Sequence, residues 1–508
     1  MNILHVASEV APLSKTGGLG DVVGGLPRAL AGRPGIHPMV VSPRYGSIDP
    51  AEHGLARRLR RVPVPLGDQV FEVEVFEGRL PRSQVPVYLV EHPLFSERTG
   101  LYGPGDPPGQ DYPDNPLRFA LLCRAALGIV QEFGIYPDVV HGHDWQGALA
   151  VYYAKRAPLE PPGAHRPAPA CVFTIHNLSF LGLCPLSEAP QLSLRPEDTG
   201  PDGLEFYGQL SLLKAGLVFS DRLTTVSPRY AREIQTPEFG CGMEGLLGAL
   251  SGKLVGILNG ADYDRWNPAT DPYLPQNYGG VEALSTPEGM SRVLAGKARC
   301  KAELQRELSL LPRPRAPLCA TISRLTDQKG IDLLLAVLEG EEIWQGEMQY
   351  VILGSGERAY EERLRVLARR HPGRLAVRIG YDEPLAHRVE AGADLYIMPS
   401  RFEPCGLNQI YSLRYGTIPV VRAVGGLDDS VVDFDARSRS GTGFKFHAYE
   451  PAALLHAWRR ALLAYEGDAE AWQALIRRAM RTDLSWEASS AAYLRVYQQA
   501  LAAAQPAK

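Results

Sequence analysis

A rhythm constrains this chain most: short apolar runs of β-favouring residues recur along it, with helix-period segments between them. Residues 3–7, 39–42, 85–90, 139–141, 171–175 and 222–226 form one series. These runs scarcely alternate between apolar and polar residues, so they read as strands buried on both faces, as in a parallel sheet covered by helices. Residues 117–133 and 206–219 place apolar side chains at three- and four-residue spacing, the pattern of helices with one face on a core. Strand and helix in this alternation build a doubly wound α/β domain.

A second series follows at residues 254–258, 317–322, 349–353, 375–379, 395–398 and 419–422, with a helix expected at 331–338. The boundary is expected near 245–255, giving an N-terminal domain over 1–250 and a C-terminal domain over 251–485. Residues 486–502 read as an amphipathic terminal helix within a last segment, 486–508. Two doubly wound domains in tandem leave a cleft where strand carboxyl ends offer loops from both sides to one ligand. Residues 104–109 and 157–170, rich in Pro and Gly, read as surface loops, and 261–278 as a further irregular stretch.

Composition narrows the classes of function. The 508 residues suffice for two to four domains, and a formal charge of −4 from 53 basic and 57 acidic residues implies no general attraction to nucleic acid or anionic membrane. Seven cysteines, at 123, 171, 184, 241, 300, 319 and 405, are scattered without a C-x-x-C pair, which fits reduced thiols in a cytoplasm. The start of the chain lacks the pattern of a secretory signal, and no apolar run approaches the ~20 residues of a membrane span.

Chemistry is expected at the strand-end loops. Lys15-Thr-Gly17-Gly18-Leu-Gly-Asp21 sets an ammonium group beside glycines ahead of a helix. Such a loop can cradle phosphate, since glycine admits close backbone approach and the helix presents its positive end. It can equally be a plain turn, and the residues alone leave both readings open. Gly18-Leu-Gly20 and Gly24 suggest a dinucleotide fingerprint, but ten residues, Ser8 to Gly17, intervene between the strand and Gly18, so that fingerprint does not fit.

In the second half, Arg324 and Lys329 share a strand-end loop, where two cations can neutralise a diphosphate. Glu403-Pro-Cys405-Gly406-Leu407 follows another strand. There a carboxylate can bind sugar hydroxyls or balance positive charge at an anomeric carbon, while the N–H groups of Gly406 and Leu407 suit phosphate. Gly354, in Gly-Ser-Gly after a strand, is a short nucleotide-like turn. His141-Gly-His143-Asp144 and His176-Asn177 close two strands of the first half and raise the rival of a metal-dependent hydrolase, because H-x-H imidazoles can share a metal. That rival needs further strand-end ligands, and His371, His387, His447 and His456 sit in poor contexts for them. The triplets Asp262-Tyr-Asp264 and Asp433-Phe-Asp435 read as turn carboxylates.

The ordered set Lys15-Thr-Gly-Gly-Leu, His143-Asp144-Trp145, His176-Asn177-Leu178, Ser323-Arg-Leu-Thr and Glu403-Pro-Cys-Gly-Leu resembles bacterial glycogen synthases and plastid starch synthases. Ser211-Leu-Leu-Lys-Ala-Gly, Thr225-Val-Ser-Pro, Ile257-Leu-Asn-Gly, Tyr415-Gly-Thr and Gly441-Thr-Gly-Phe extend the match over nearly the whole chain. The resemblance implies a GT-B glycosyltransferase with two Rossmann-like domains, an interdomain cleft and a last helix returning to the first domain.

The implied reaction moves glucose from ADP-glucose to the non-reducing-end 4-hydroxyl of an α-1,4-glucan with retained configuration, releasing ADP, with no metal or other cofactor. Its implied partners are ADP-glucose and the glucan, with no nucleic acid and no membrane. Carried over residue by residue, Lys15 and the Gly17-Gly18 backbone meet the distal phosphate and sugar, while Arg324 and Lys329 hold the diphosphate. Glu403, His176 and Asn259 meet the sugar, Asp144 lies near the transferred unit or acceptor, Tyr381 lies beside adenine, and Tyr102 lines the acceptor side. Gly354, Cys405, Gly406 and Leu407 complete the nucleotide-sugar set. Phe180-Leu181, Asn408 and Asp428-Asp429-Ser430 depart from the usual pattern without removing a charged group. A non-catalytic glucan-binding homologue is disfavoured because every expected charged group is present.

Overall fold

The computed structural model describes residues 1–105, 110–156 and 168–504. The expected loop segments 106–109 and 157–167 lie outside them. The chain forms two compact units, Met1–Gly260 with Trp486–Lys508, and Ala261–Ser485.

The first unit is built on a sheet whose neighbouring strands run Leu254–Gly256, Arg222–Thr225, Ala170–Ile175, Val139–His143, Asn2–Val6, His37–Pro43, Pro86–Glu91, Gln69–Arg79 and Ala56–Arg57. The first seven pair in parallel. The last two pair antiparallel, and Val62–Leu66 joins Gln69–Arg79 as a ribbon. Asn2–Val6 sits where the order reverses, with successive strands added first on one side and then on the other. That switch point opens a crevice at the strands' carboxyl ends, the usual ligand position in open α/β sheets.

The helix Trp486–Ala504 packs in this unit, burying Trp486, Tyr493, Val496 and Tyr497 against Ile3, Val22, Leu26 and Val139. Arg33 fixes it by donating to Ser490 Oγ at 2.9 Å and to the Glu487 carbonyl at 3.0 Å. Gly25, in the helix Gly18–Ala31, lies so close that any Cβ there would collide with the Trp486 ring.

The second unit carries a parallel sheet in the order Leu375–Ile379, Gln349–Gly354, Leu318–Ile322, Leu395–Met398, Ile418–Arg422 and Phe444–Phe446. In chain order this reads 3-2-1-4-5-6, with its switch point between Leu318–Ile322 and Leu395–Met398. Its four central strands are almost wholly buried, which accounts for their apolar runs, while only Leu375 is buried in the edge strand Leu375–Ile379.

Two expectations are corrected. Residues 254–258 do not open the second unit: Leu254–Gly256 pairs in parallel with Arg222–Thr225, so the boundary moves from 250 to 260 and Asn259 belongs to the first unit. A three-residue strand carries no mark of which sheet it joins; the neighbour's register decides. The helix expected over 206–219 is Leu212–Phe219 alone, because Glu205–Phe206 and Gln209–Ser211 pair as a hairpin. Its turn, Tyr207-Gly208, is left-handed at both residues, with φ of 47° and 82°.

Candidate active site

In the first unit, the expected residues gather at the carboxyl ends of the sheet. Lys15 precedes the helix Gly18–Ala31 and its Nζ lies 2.8 Å from Asp21 Oδ1. The loop is held from beneath by Glu9, a buried carboxylate that sequence reasoning missed. Glu9 accepts from Thr16 N–H at 2.7 Å, Thr16 Oγ1 at 2.7 Å, Gly17 N–H at 3.3 Å and the Tyr102 hydroxyl at 2.6 Å. It occupies the first residues after a strand, the same signal that singled out Glu403.

This geometry gives partners to two of the expected groups. The Gly17 N–H is turned to Glu9 and is not a phosphate donor in this conformation, which leaves the first turn of the helix from Gly18 to face an anion. The Tyr102 hydroxyl contacts Glu9 and Ser8 Oγ, the latter at 2.8 Å, and so braces the Lys15 loop.

Asp144 opens the helix Asp144–Arg156 with a left-handed φ of 40°. Its Oδ1 accepts from the backbone N–H of His176 at 2.6 Å and of Asn177 at 3.3 Å. Burial pushes its carboxyl up to about 7, against the pull of those two N–H donors. Asp144 therefore ties two strand-end loops together. His176 is buried, its Nε2 is 3.0 Å from His143 Nδ1, and burial lowers its ring to about 3, so it is neutral. Asn259 Oδ1 is buried without a hydrogen-bond partner among the described residues, an acceptor suited to a ligand hydroxyl.

The second unit carries Arg324, Lys329 and Glu403 in loops that follow its own strands. Lys329 Nζ lies 2.6 Å from Glu403 Oε2, which also accepts from Ser400 Oγ at 3.0 Å. Arg324 donates to Gln328 Oε1 at 3.1 Å. The loop carrying these cations is laced to the one after Gln349–Gly354: Leu325 N–H donates to Ser355 O and Glu357 N–H to Leu325 O, both at 2.9 Å. Gly354 is required there, since a Cβ would strike the Ser323 carbonyl. Ser323 Oγ and Thr326 Oγ1 are buried in this loop with no partner among the described residues.

The Glu403 loop turns through Gly406, at φ 71°, into the helix Asn408–Tyr415, whose first N–H groups follow Leu407. Cys405 is buried and its carbonyl accepts from Gln409 Nε2 at 3.0 Å. Gly425 and Gly426 press against the Glu403 and Cys405 backbone where no side chain fits. Tyr381 is 78% exposed just beyond Leu375–Ile379.

The acidic triplets hold turns and ion pairs: Asp262 accepts from the Asp264 N–H, Asp433 pairs with Arg460, and Asp435 accepts from the N–H of Arg437 and Ser438. The hydrolase reading from His141, His143 and His176 loses its donors. His141 Nδ1 lies 2.9 Å from the Tyr497 hydroxyl and Nε2 lies 2.6 Å from Thr174 Oγ1, and the other two rings bond each other.

Comparison with known proteins agrees with this arrangement. Residues 2–249 match the family described as starch synthase catalytic domain, and residues 309–479 match glycosyl transferases group 1. The chain is 51% identical over 503 residues to a glycogen synthase of Anaeromyxobacter dehalogenans, covering 98% of this chain and 99% of that one. It is 42% identical over 500 residues to glycogen synthase 2 of Geobacter sulfurreducens, covering 98% and 99%. Among solved structures, the catalytic domain of starch synthase IV from Arabidopsis thaliana, bound to ADP and acarbose, superposes with a TM-score of 0.88 at 32% identity over 99% of each chain. Matched in both halves and along nearly its full length, the chain belongs to the glycogen synthase family of GT-B glycosyltransferases.

Proposed function

We propose that this protein extends an α-1,4-glucan, moving glucose from ADP-glucose to the non-reducing-end 4-hydroxyl with retained anomeric configuration and releasing ADP. The observation that carries the reading is the joining of Lys329 and Glu403 at the switch point of the second sheet, a cation for phosphate beside a carboxylate for sugar. Arg324 and Lys329 hold the diphosphate, with the backbone N–H groups of Gly406 and Leu407. Tyr381 stacks beside the base, and Gly354 lets the backbone approach the nucleotide.

At the reacting centre the bond from C1 to the diphosphate oxygen breaks and a bond from C1 to the acceptor O4 forms on the face the diphosphate leaves. The acceptor proton passes to a phosphate oxygen of the departing ADP. Glu403 opposes positive charge at C1, and Lys15 meets the distal phosphate. His176, Asp144 and Asn259 surround the sugar being moved. The phosphate charge is met by protein cations, so the step takes place without a metal. The scattered free thiols fit a cytoplasmic enzyme, and no helix among the described residues is long and apolar enough to cross a membrane.

The donor is tested by competition. With ADP-glucose and UDP-glucose supplied together, each carrying a different carbon isotope in its glucose, the glucan is expected to take its label mainly from ADP-glucose. Label mainly from UDP-glucose contradicts the donor assignment, and no label in the glucan contradicts the transfer itself.

A further inference from the structure

Behind His176 lies a chain of imidazoles that the reaction above does not use. His143 Nδ1 is 3.0 Å from His176 Nε2, and His143 Nε2 is 3.1 Å from His5 Nδ1. The sheet register creates it: His5 pairs with His141, and His143 pairs with Thr174, two residues before His176. His5 and His143 have ring centroids 5.4 Å apart, planes tilted by only 15° and facing nitrogens 3.1 Å apart. The rings therefore meet end to end and not face to face. His5 and His143 are fully buried, and burial holds both well below the usual imidazole range, so all three rings are neutral.

Each nitrogen-to-nitrogen contact between neutral rings holds one proton. The two contacts are coupled through His143, so the chain has two arrangements only. In one, protons point inward and His5 ends as a buried Nε2–H. In the other, protons point outward, His5 Nε2 is a bare lone pair, and His176 carries its proton on Nδ1. His5 Nε2 is buried with no partner among the described residues. A buried orphan N–H is rarer than an under-satisfied acceptor, which favours the outward arrangement.

We infer that His143 is a positioning residue that holds His176 as its Nδ1–H tautomer, with the direction set by the blind inner end of the chain at His5. The inference rests on the proposed place of His176 at the transferred sugar. It makes His176 a hydrogen-bond donor to a sugar oxygen, through an Nδ1 that takes no partner among the described residues. It also removes His176 as a general base, because Nδ1 already holds a proton and Nε2 is occupied by His143.

A metal is the competing use of these rings, since nitrogens of His5, His141 and His143 lie within 4.8 Å of one another. The hydrogen bonds consume them: both nitrogens of His141 face hydroxyls, and His5 Nδ1 and His143 Nε2 face each other. Only His5 Nε2 is left over.

Ring nitrogen NMR of the histidine-labelled full chain, with resonances assigned by single substitutions, reads the tautomers directly. The expected spectrum has Nδ1 protonated and Nε2 bare at His176, His143 and His5 between pH 6 and 8. His176 protonated at Nε2, or charged, overturns the inference. His5→Leu should leave the His176 tautomer unchanged, because the bare end moves to His143 Nε2. His143→Phe should give mixed His176 tautomers and lower turnover at least tenfold with the fold retained. A His143→Phe variant that only lowers the melting temperature, with the tautomer unchanged, assigns His143 a packing role and overturns the inference. Should that variant not fold, the wild-type spectrum alone decides. Tight stoichiometric Zn²⁺ binding that shifts the His5 and His143 signals also overturns it. A protein inactive with every nucleotide glucose still yields these spectra, so failure of the proposed function is read separately.

Discussion

Lys329 Nζ lies 2.6 Å from Glu403 Oε2, and both side chains are largely buried in the second unit. The group proposed to hold phosphate and the group proposed to face the sugar thus neutralise each other before any substrate arrives. Removing either one leaves the other desolvated and unpaired. Lys329→Met and Glu403→Gln should each lower kcat by about 10²-fold or more, and each should cost about 1–3 kcal/mol of stability. The double variant should regain part of that stability and none of the activity, a separation that urea unfolding and steady-state kinetics would measure together.

Glu9 gathers the Lys15 loop through Thr16, Gly17 and Tyr102. Glu9→Ala frees those donors and lets the loop drift, so the expected result is a rise in the KM for the nucleotide sugar and a fall in kcat. Tyr102→Phe removes one of the contacts and should show a smaller effect in the same direction. An unchanged KM in both variants would show that the loop is held by other means.

Asp144 gives a pH signature. Its folded carboxyl is pushed up to about 7 from an ordinary 3.8, so between those values the folded chain holds a proton that the unfolded chain has lost. This contribution to stability is complete below 3.8 and is lost as pH rises through 7. Asp144→Asn should flatten the dependence of the melting temperature on pH between about 4 and 7, a comparison for scanning calorimetry.

Gly425 has φ of 45°, and a Cβ there would enter the Glu403 backbone. Gly425→Ala should cost more than about 1 kcal/mol and displace the Glu403 loop, with activity falling further than stability. Gly245→Ala is the control: it lies in the helix Glu244–Ala249 with open space at its Cβ, and should be neutral or stabilising by up to about 1 kcal/mol.

The central parallel strands were legible because burial on both faces demands unbroken apolar runs, as in Leu395–Met398, which matches its expected bounds; the edge strand Leu375–Ile379 also matches, though only Leu375 in it is buried. The ribbon Val62–Leu66 and Gln69–Arg79 was passed over, since it alternates, with Val62, Val64 and Leu66 buried and the prolines between them exposed. That is the rule for a one-sided antiparallel strand. The strand-end position of Arg324, Lys329 and Glu403 was readable because each lies in a loop that follows a buried apolar strand. His5 was not: a single histidine inside an apolar strand looks like core, and its meaning lies in rings from neighbouring strands. The bonds of the Tyr102 hydroxyl and the Gly17 N–H to Glu9 were not readable, because that carboxylate meets them only once the loop folds over it.

The central claim is glucosyl transfer to a glucan end, and product analysis tests it most directly. Purified protein is incubated with ADP-glucose, a maltooligosaccharide of single length and a metal chelator. The predicted result is one ADP released for each glucose added, with longer oligosaccharides whose new linkage shows the α-anomeric proton signal. Free glucose without lengthened chains, a β-linked product, or activity that vanishes with the chelator would contradict the account.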